Sequence, residues 1–191
     1  VVYASSSSIY GNVKQIPIKE NSKRKPINPY GETKLEDEIL TEEFKDLSVI
    51  GLRYFNVYGV GQTSSYAGVI TKFLKKIKNK ESIIINGNGN KIRDFIHVND
   101  IAKANLIAME NKIERGFFNI GTGIPTTINN LAKIMINISN NDIEIIHGPE
   151  LKGDVEMSQA DIEFAKQVLN WTYEINLEKG LTELIKNKNV I

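Results

Sequence analysis

Short apolar runs alternate with amphipathic stretches along most of this chain, and the alternation limits the possible fold more than any other feature. Val1–Ala4, Ser48–Phe55 and Phe117–Ile120 have the length and the nearly continuous apolar character of strands buried in a parallel sheet. Parallel strands need long connections, which are usually helical. The pattern therefore predicts an α/β domain in which helices pack on a parallel sheet.

The segments between the apolar runs carry apolar residues at helical spacing. In the first of them Leu35, Ile39, Leu40 and Phe44 recur at three- to five-residue spacing with Glu and Lys between them, which predicts a helix with one apolar face. A later helix is expected to begin at Asp100, whose carboxylate would cap it. The predicted helices cover residues 30–45, 69–80, 100–110, 127–138, 160–169 and 177–187, with further short strands at 82–85 and 143–146.

Charge and composition exclude several classes of function. The chain has 24 Lys and Arg against 23 Asp and Glu, so no net field favours nucleic acid or an anionic membrane. Cysteine is absent and there are two histidines, which argues against thiol chemistry and against a metal site. No apolar run approaches the roughly 20 residues of a membrane span. We expect a cytoplasmic protein with neither a membrane nor a nucleic acid as partner.

Glycine spacing does not match a phosphate-binding fingerprint. The pairs Gly59/Gly61, Gly87/Gly89 and Gly121/Gly123 lack the third glycine of the dinucleotide motif, so each is interpreted as a turn. The chain also begins with a valine inside a predicted buried strand rather than with a methionine and a polar leader. We therefore expect it to be the C-terminal portion of a longer protein.

Two short motifs could carry chemistry. Tyr30 and Lys34 are one helical turn apart, so the ammonium can lie near the phenol, lower its pKa and make it a general acid or base. A run of serines, Ser5 to Ser8, follows the first predicted strand, and the carboxyl ends of parallel strands are where α/β sheets bind ligands. Taken singly, the first motif is also an ordinary helical pair and the second an ordinary polar exit from a strand.

Together these motifs resemble a known family. SSSSIYG at 5–11, PYGETK at 29–34, LRYFNVYG at 52–59, RDFIHVNDIA at 93–102 and FNIGTG at 118–123 occur in the order found in the extended short-chain dehydrogenase/reductases, specifically the NAD-dependent nucleotide-sugar epimerases and dehydratases. The resemblance implies the C-terminal part of a Rossmann-like, doubly wound parallel sheet with a small α/β substrate lobe. Residues 1–60 would be the back half of the NAD-binding domain. Residues 61–191 would mainly form the lobe, with 94–125 returning to the sheet.

The resemblance also implies residue roles. Tyr30 would remove the proton of a sugar 4-hydroxyl, Ser6 would bond the same oxygen, and Lys34 would hold the nicotinamide ribose of NAD. The remaining contacts implied for NAD are Ser5, Tyr54 and Phe55, and those implied for a UDP-sugar are Asn56, Ile84, Asn86, Arg93, Asp154 and Ser158.

Some of these positions also have a structural interpretation. Arg93 would clamp the diphosphate, although a salt bridge to Asp94 or Asp100 is the alternative. His97 is interpreted as a core or supporting residue rather than a ligand.

Departures from the family pattern refine the expected reaction. Ser7 and Ser8 stand where similar dehydratases carry an acidic pair, which favours 4-epimerisation through a 4-keto intermediate. Leu151 replaces a family arginine, which would remove one diphosphate contact. Ser158 stands where members restricted to simple hexoses carry tyrosine, so N-acetylated UDP-sugars are expected substrates as well. The alternatives are another nucleotide-sugar dehydratase or reductase, or a non-catalytic sensor of nucleotide sugars. Family members usually form homodimers.

Overall fold

The computed structural model describes residues 1–62, 68–150 and 153–187 of the 191-residue chain. Its strands are β1 (Val2–Ser6), β2 (Val49–Tyr54), β3 (Asn56–Tyr58), β4 (Ile83–Asn86), β5 (Ile92–Arg93), β6 (Phe95–His97), β7 (Arg115–Ile120), β8 (Thr126–Thr127) and β9 (Ile145–Gly148). Its helices are α1 (Pro29–Glu43), α2 (Val69–Lys78), α3 (Val98–Glu110), α4 (Ile128–Ser139), α5 (Glu163–Leu169) and α6 (Leu177–Lys186), with a 3₁₀ turn over Ser7–Tyr10.

A three-stranded parallel sheet forms the part of the fold that positions the site. Its order is β1-β2-β7, and Ser6, Tyr54 and Ile120 lie in register at the carboxyl ends of the three strands. The predicted α/β class with parallel strands is confirmed. Because the strands are parallel, the residues that leave them emerge along one edge, where ligands bind in such sheets.

Three strand pairs extend the fold beyond this sheet. The pairs β3–β6 and β4–β9 are parallel, and β5–β8 is antiparallel. The helices α2, α4 and α6 pack with β4 around a core that includes Phe73, Leu131 and Leu181. A second core lies against the three-stranded sheet and contains Leu52, Phe118 and Trp171. Among the described residues, no helix has both the length and the apolar character that crossing a membrane requires.

Helix α1 buries a different face from the one its apolar spacing predicts. Ile39, Leu40 and Phe44 are about half exposed, whereas Glu38 is fully buried. The expected apolar core face of this helix is therefore wrong. The reason is a buried cation on the neighbouring strand, because the Arg53 guanidinium needs a carboxylate partner on this side of the helix.

The start of helix α3 also differs from the prediction. The helix begins at Val98, and the Nδ1 atom of His97 accepts a hydrogen bond from the backbone N–H of Asn99, so His97 rather than Asp100 is the cap. The Asp100 carboxylate instead accepts hydrogen bonds from the backbone N–H groups of Glu174 and Ile175. Asp100 thereby ties α3 to the chain that leads into α6. His97 is buried, as its structural interpretation predicts.

Candidate functional site

A cavity of about 410 Å³ opens at the carboxyl edge of the three-stranded sheet. Nine of the residues that the sequence singles out line it: Ser5, Ser6, Tyr30, Tyr54, Phe55, Asn56, Arg93, Asp154 and Ser158. These residues belong to β1, to α1, to the junction between β2 and β3, to β5, and to the segment that follows residue 152. The fold therefore brings together positions that are up to 153 residues apart in the sequence.

Ser6 is the last residue of β1 and the cap of the 3₁₀ turn that follows. Its backbone is extended, and its Oγ atom accepts hydrogen bonds from the Ser8 N–H at 3.2 Å and from the Ser8 hydroxyl at 2.7 Å. With both of these bonds accepted, the Ser6 hydroxyl hydrogen is left to be donated to another acceptor. Ser6 can therefore act as a hydrogen-bond donor in the cavity.

Tyr30 lies in the first turn of α1, and local contacts determine where that turn begins. The Asn28 side chain caps the helix by accepting from the Gly31 N–H, and Pro29 occupies the first turn. A Cβ atom at Gly31 would come within 2.7 Å of the Ser8 carbonyl oxygen, so only glycine allows the helix to approach the 3₁₀ turn this closely. The approach places Tyr30, which is 58% exposed, at the cavity that Ser6 also lines.

Lys34 is one turn further along α1. Its Nζ atom is 3.0 Å from the Asp37 carboxylate, and Lys34 is not among the described residues that line the cavity. The ammonium is therefore beside the site, paired with a carboxylate on its own helix. Its expected effect on the pKa of Tyr30 stays a prediction.

Two of the residues expected at the cofactor use their hydroxyl groups elsewhere. The Ser5 hydroxyl donates to Glu38 at 2.6 Å, away from the cavity. The Tyr54 hydroxyl bonds to the side chain of Asn105, and burial raises the pKa of this phenol. Phe55, by contrast, is buried and supplies an apolar part of the cavity wall.

A second cavity, of about 320 Å³, adjoins the first. Ile84 and Asn86 of β4 line it, and the side chain of Ile84 is exposed. Asn56, Arg93 and Asp154 line both cavities. These three side chains therefore stand where the two spaces meet.

Arg93 is paired in the structure, but with a partner other than the two considered from the sequence. Its Nη2 atom donates to Asp154 at 2.6 Å, and Asp154 is also 3.6 Å from the ammonium of Lys91. Asp94 is occupied elsewhere, since its buried carboxylate accepts hydrogen bonds from Thr122, Gly123 and the Ala160 N–H. Leu151, which replaces a family arginine, lies outside the described residues.

A buried polar network lies behind the cavity, and the sequence pattern does not predict it. The Arg53 guanidinium donates through Nε and Nη2 to Glu38 and through Nη1 to the Tyr10 hydroxyl, which in turn donates to Asn119. Burial raises the pKa of the Tyr10 hydroxyl, so this phenol stays protonated. The only sequence signal was an arginine inside an otherwise apolar strand, because a charge there requires a buried partner.

Among the described residues, no group of three or more acidic or histidine side chains is arranged to hold a metal ion. The side chains that line the first cavity include the phenol of Tyr30, the hydroxyl group of Ser6 and the guanidinium of Arg93.

Comparison with known proteins identifies a family and several relatives. Residues 1–121 match the model of the NAD dependent epimerase/dehydratase family. The UDP-glucuronate 4-epimerase of Thermodesulfobacterium geofontis is 33% identical over 192 residues, covering 97% of this chain and 58% of that protein.

Solved structures agree as well. The UDP-glucose 4-epimerase of Thermotoga maritima with UDP-glucose superposes with a TM-score of 0.93 at 38% identity, covering 97% of this chain and 62% of the other. For the UDP-N-acetylglucosamine 4-epimerase of Methanobrevibacter ruminantium M1, in complex with UDP-N-acetylmuramic acid, the TM-score is 0.91 at 36% identity, with coverage of 97% and 61%.

The chain thus spans about three fifths of the length of these proteins. The match to the family model and the similarity to these relatives lead to one assignment. The chain belongs to the NAD dependent epimerase/dehydratase family.

Proposed function

We propose that the protein carrying this chain catalyses the NAD-dependent 4-epimerisation of a UDP-hexose through a transient 4-keto intermediate. The observation that carries the proposal is the convergence of Ser6, Tyr30 and Phe55 on one cavity that meets a second one at Arg93. The first cavity combines acid–base groups with an apolar wall. The second offers an arginine and a separate space for a nucleotide.

The residues present fit the nicotinamide end of NAD. Phe55 gives an apolar wall for a planar ring, and Tyr30 and Ser6 give hydroxyl groups at the same cavity, with Lys34 one turn from Tyr30. Bound NAD⁺ would supply a hydride acceptor. The pyrophosphate of NAD would need a glycine-rich loop, and the given sequence has none, so these residues account for part of a cofactor site.

Tyr30 and Ser6 divide the proton chemistry between them. The exposed Tyr30 phenol, once ionised, would take the proton of the sugar 4-hydroxyl as C4 is oxidised, and would return it when C4 is reduced. Ser6 would donate its hydroxyl hydrogen to the 4-oxygen, since its own oxygen already accepts two hydrogen bonds. Ser7 and Ser8 cannot act as the acid that expels water from a sugar, which favours epimerisation over dehydration.

The nucleotide part of the substrate would extend into the second cavity. Arg93 and Asn56 would bind the diphosphate, because the guanidinium offers paired donors to phosphate oxygens. Ile84 and Asn86 would contact the base, and Asp154 a ribose hydroxyl. The small Ser158 leaves room at the sugar, so we include N-acetylated UDP-hexoses among the substrates.

The test is conversion of UDP-glucose to UDP-galactose by the intact protein, followed by chromatography of the nucleotide sugars. Replacement of Tyr30 by Phe should reduce turnover by at least 100-fold while UDP-sugar binding stays within threefold, since a general base contributes roughly 10²–10⁴ to the rate. Tyr3→Phe is the matched control. Its hydroxyl bonds to Thr41 and its side chain does not line the cavity.

The outcomes separate the alternatives. Full activity of the Tyr30→Phe variant would contradict the assigned base. Release of water from a nucleotide sugar, or its net reduction, would indicate a dehydratase or reductase. Binding of UDP-sugars without turnover of any UDP-, dTDP- or GDP-sugar would indicate a sensor.

The exposed apolar face of α1 supports a homodimer as the assembly state. Ile39 and Leu40 on α1 are 46% and 54% exposed, and Phe44, directly after the helix, is 52% exposed. Leaving these apolar side chains in water is costly. A second copy of the protein would cover this face. Analytical ultracentrifugation of the intact protein should show a dimer that Leu40→Glu converts to a monomer, and a wild-type monomer would refute the assignment.

We further propose that residues 1–60 and 94–125 belong to the cofactor-binding unit and the rest mainly to the substrate lobe. Pairing of β7 with β2 supports this division, since it joins residues 115–120 to the sheet that carries Ser6. The proposed location is the cytoplasm, where UDP-sugars and NAD are available, with neither nucleic acid nor membrane as partner.

A further inference from the structure

Arg93 is already engaged where a diphosphate would bind. Its Nη2 atom donates to Asp154 at 2.6 Å and its Nη1 atom donates to the Ile92 carbonyl oxygen at 2.8 Å. Arg93 and Asp154 both line the two adjoining cavities, so this ion pair stands at their junction. A ligand that reaches from one cavity into the other must pass the pair.

The charges around the pair oppose an incoming anion. The Lys91 ammonium lies 3.3 Å from Glu150, 3.4 Å from Glu156 and 3.6 Å from Asp154. Two cations, Lys91 and Arg93, thus face three carboxylates, for a formal charge of −1. A diphosphate with two negative charges would meet a cluster of its own sign unless a carboxylate withdrew.

The solvent exposure of the side chains indicates which member of the Arg93–Asp154 pair can move away. The side chains of Arg93 and Lys91 are each 9% exposed, whereas that of Asp154 is 48% exposed. Gly153, directly before Asp154, has a φ of +80°, and none of the described residues comes within 4 Å of the position of an added Cβ atom there. The cations are therefore held by the protein, while the carboxylate borders water and open space.

We propose that Asp154 is a displaceable latch on Arg93. In the free protein the Asp154 carboxylate accepts a hydrogen bond from the Arg93 guanidinium. When the substrate binds, its diphosphate takes the place of that carboxylate beside the guanidinium. The released carboxylate then turns to a ribose hydroxyl of the same ligand. This inference rests on the proposed binding of a UDP-sugar.

The latch makes binding selective for a nucleoside diphosphate over inorganic diphosphate. An inorganic diphosphate would have to break the Asp154–Arg93 pair and would offer the carboxylate nothing in return. A ligand with a ribose would offer it new hydrogen-bond donors. Asp154 should therefore weaken the binding of pyrophosphate and strengthen the binding of UDP.

Isothermal titration calorimetry of the intact protein with UDP and with inorganic pyrophosphate, in magnesium-free buffer, tests this inference. Asp154→Asn keeps the shape of the side chain and removes its charge. It should tighten pyrophosphate binding at least threefold and weaken UDP binding at least threefold. Glu156→Gln is the matched control, because Glu156 pairs with the Lys91 ammonium of the same cluster and not with Arg93. Because its charge also belongs to the cluster, this variant should tighten pyrophosphate binding less than Asp154→Asn does, and it should leave UDP binding no weaker than in the wild type.

Four results would overturn the latch. Equal tightening of pyrophosphate by both variants would mean that only the total charge matters. Weaker binding of both ligands to Asp154→Asn would mean that Asp154 orients Arg93 rather than competing for it. Failure of the wild-type protein to bind UDP would overturn the proposed function together with the latch, whereas UDP binding with identical behaviour of the two variants overturns the latch alone.

Discussion

Replacing Glu38 by Gln tests whether a buried ion pair holds helix α1 against the sheet. The Glu38 carboxylate is fully buried and accepts four hydrogen bonds, from the Ser5 hydroxyl, from Nε and Nη2 of Arg53 and from Nη1 of Arg24. The substitution keeps the size of the side chain. It removes the charge and replaces one accepting oxygen by an amide that donates.

The expected cost follows from the charge left behind. Arg53 is 2% exposed, so its guanidinium would lose its compensating carboxylate inside the protein. Removing one partner of a buried pair costs about 3–5 kcal/mol. With an m value of about 2 kcal/mol/M, the urea midpoint of unfolding should fall by about 1.5–2.5 M.

Urea denaturation of the intact protein, followed by circular dichroism, measures this shift. Glu42→Gln is the matched control, because Glu42 pairs with the same Arg24 at 2.9 Å but is 47% exposed. Its loss should cost less than about 1 kcal/mol. The double variant Glu38→Leu with Arg53→Met should be more stable than Glu38→Gln alone, since no charge stays buried without a partner.

Two results would refute this reasoning. A midpoint for Glu38→Gln within 0.5 M of the wild-type value would show that water or another group compensates Arg53. A double variant less stable than the single one would show that packing of these side chains, rather than their charge, holds the helix.

Three further predictions concern single positions. Gly31→Ala should cost about 1–3 kcal/mol and lower turnover, because the new Cβ meets the Ser8 carbonyl oxygen at 2.7 Å; thermal unfolding and activity measure the two effects. Burial lowers the pKa of His97 in the folded protein, so its contribution to stability should be present at pH 8 and should decline as the pH falls below the unfolded pKa near 6.5. The His97→Asn variant keeps a side chain that can cap the helix but does not titrate. Its unfolding free energy should therefore fall less between pH 8 and pH 5.5 than that of the wild type. Ser158→Tyr should abolish turnover of UDP-N-acetylglucosamine and spare UDP-glucose, and equal loss of both would reject the size argument.

The sequence by itself determines the layered class of the fold and the approximate bounds of the strands and helices that carry the candidate site residues. Apolar runs of strand length separated by helical stretches predict parallel strands with helices, and β1, β2 and β7 have this arrangement. The end of a buried strand predicts that the serine run with Ser6 follows it, and helical spacing predicts a helix from Tyr30, which in the structure begins at Pro29. These features depend on neighbours in the chain, so the sequence shows them directly.

Only the tertiary structure determines which distant residues pair with the buried charged side chains. Glu38 reads as a solvent-facing residue of an amphipathic helix, yet it is buried because Arg53, 15 residues later, needs its charge. Arg93 pairs with Asp154, 61 residues away, rather than with its neighbour Asp94, whose carboxylate is taken by backbone N–H groups from two other segments. A buried charge must find an opposite charge or a set of donors wherever the fold provides one, and spacing along the chain does not show which distant group will be within reach.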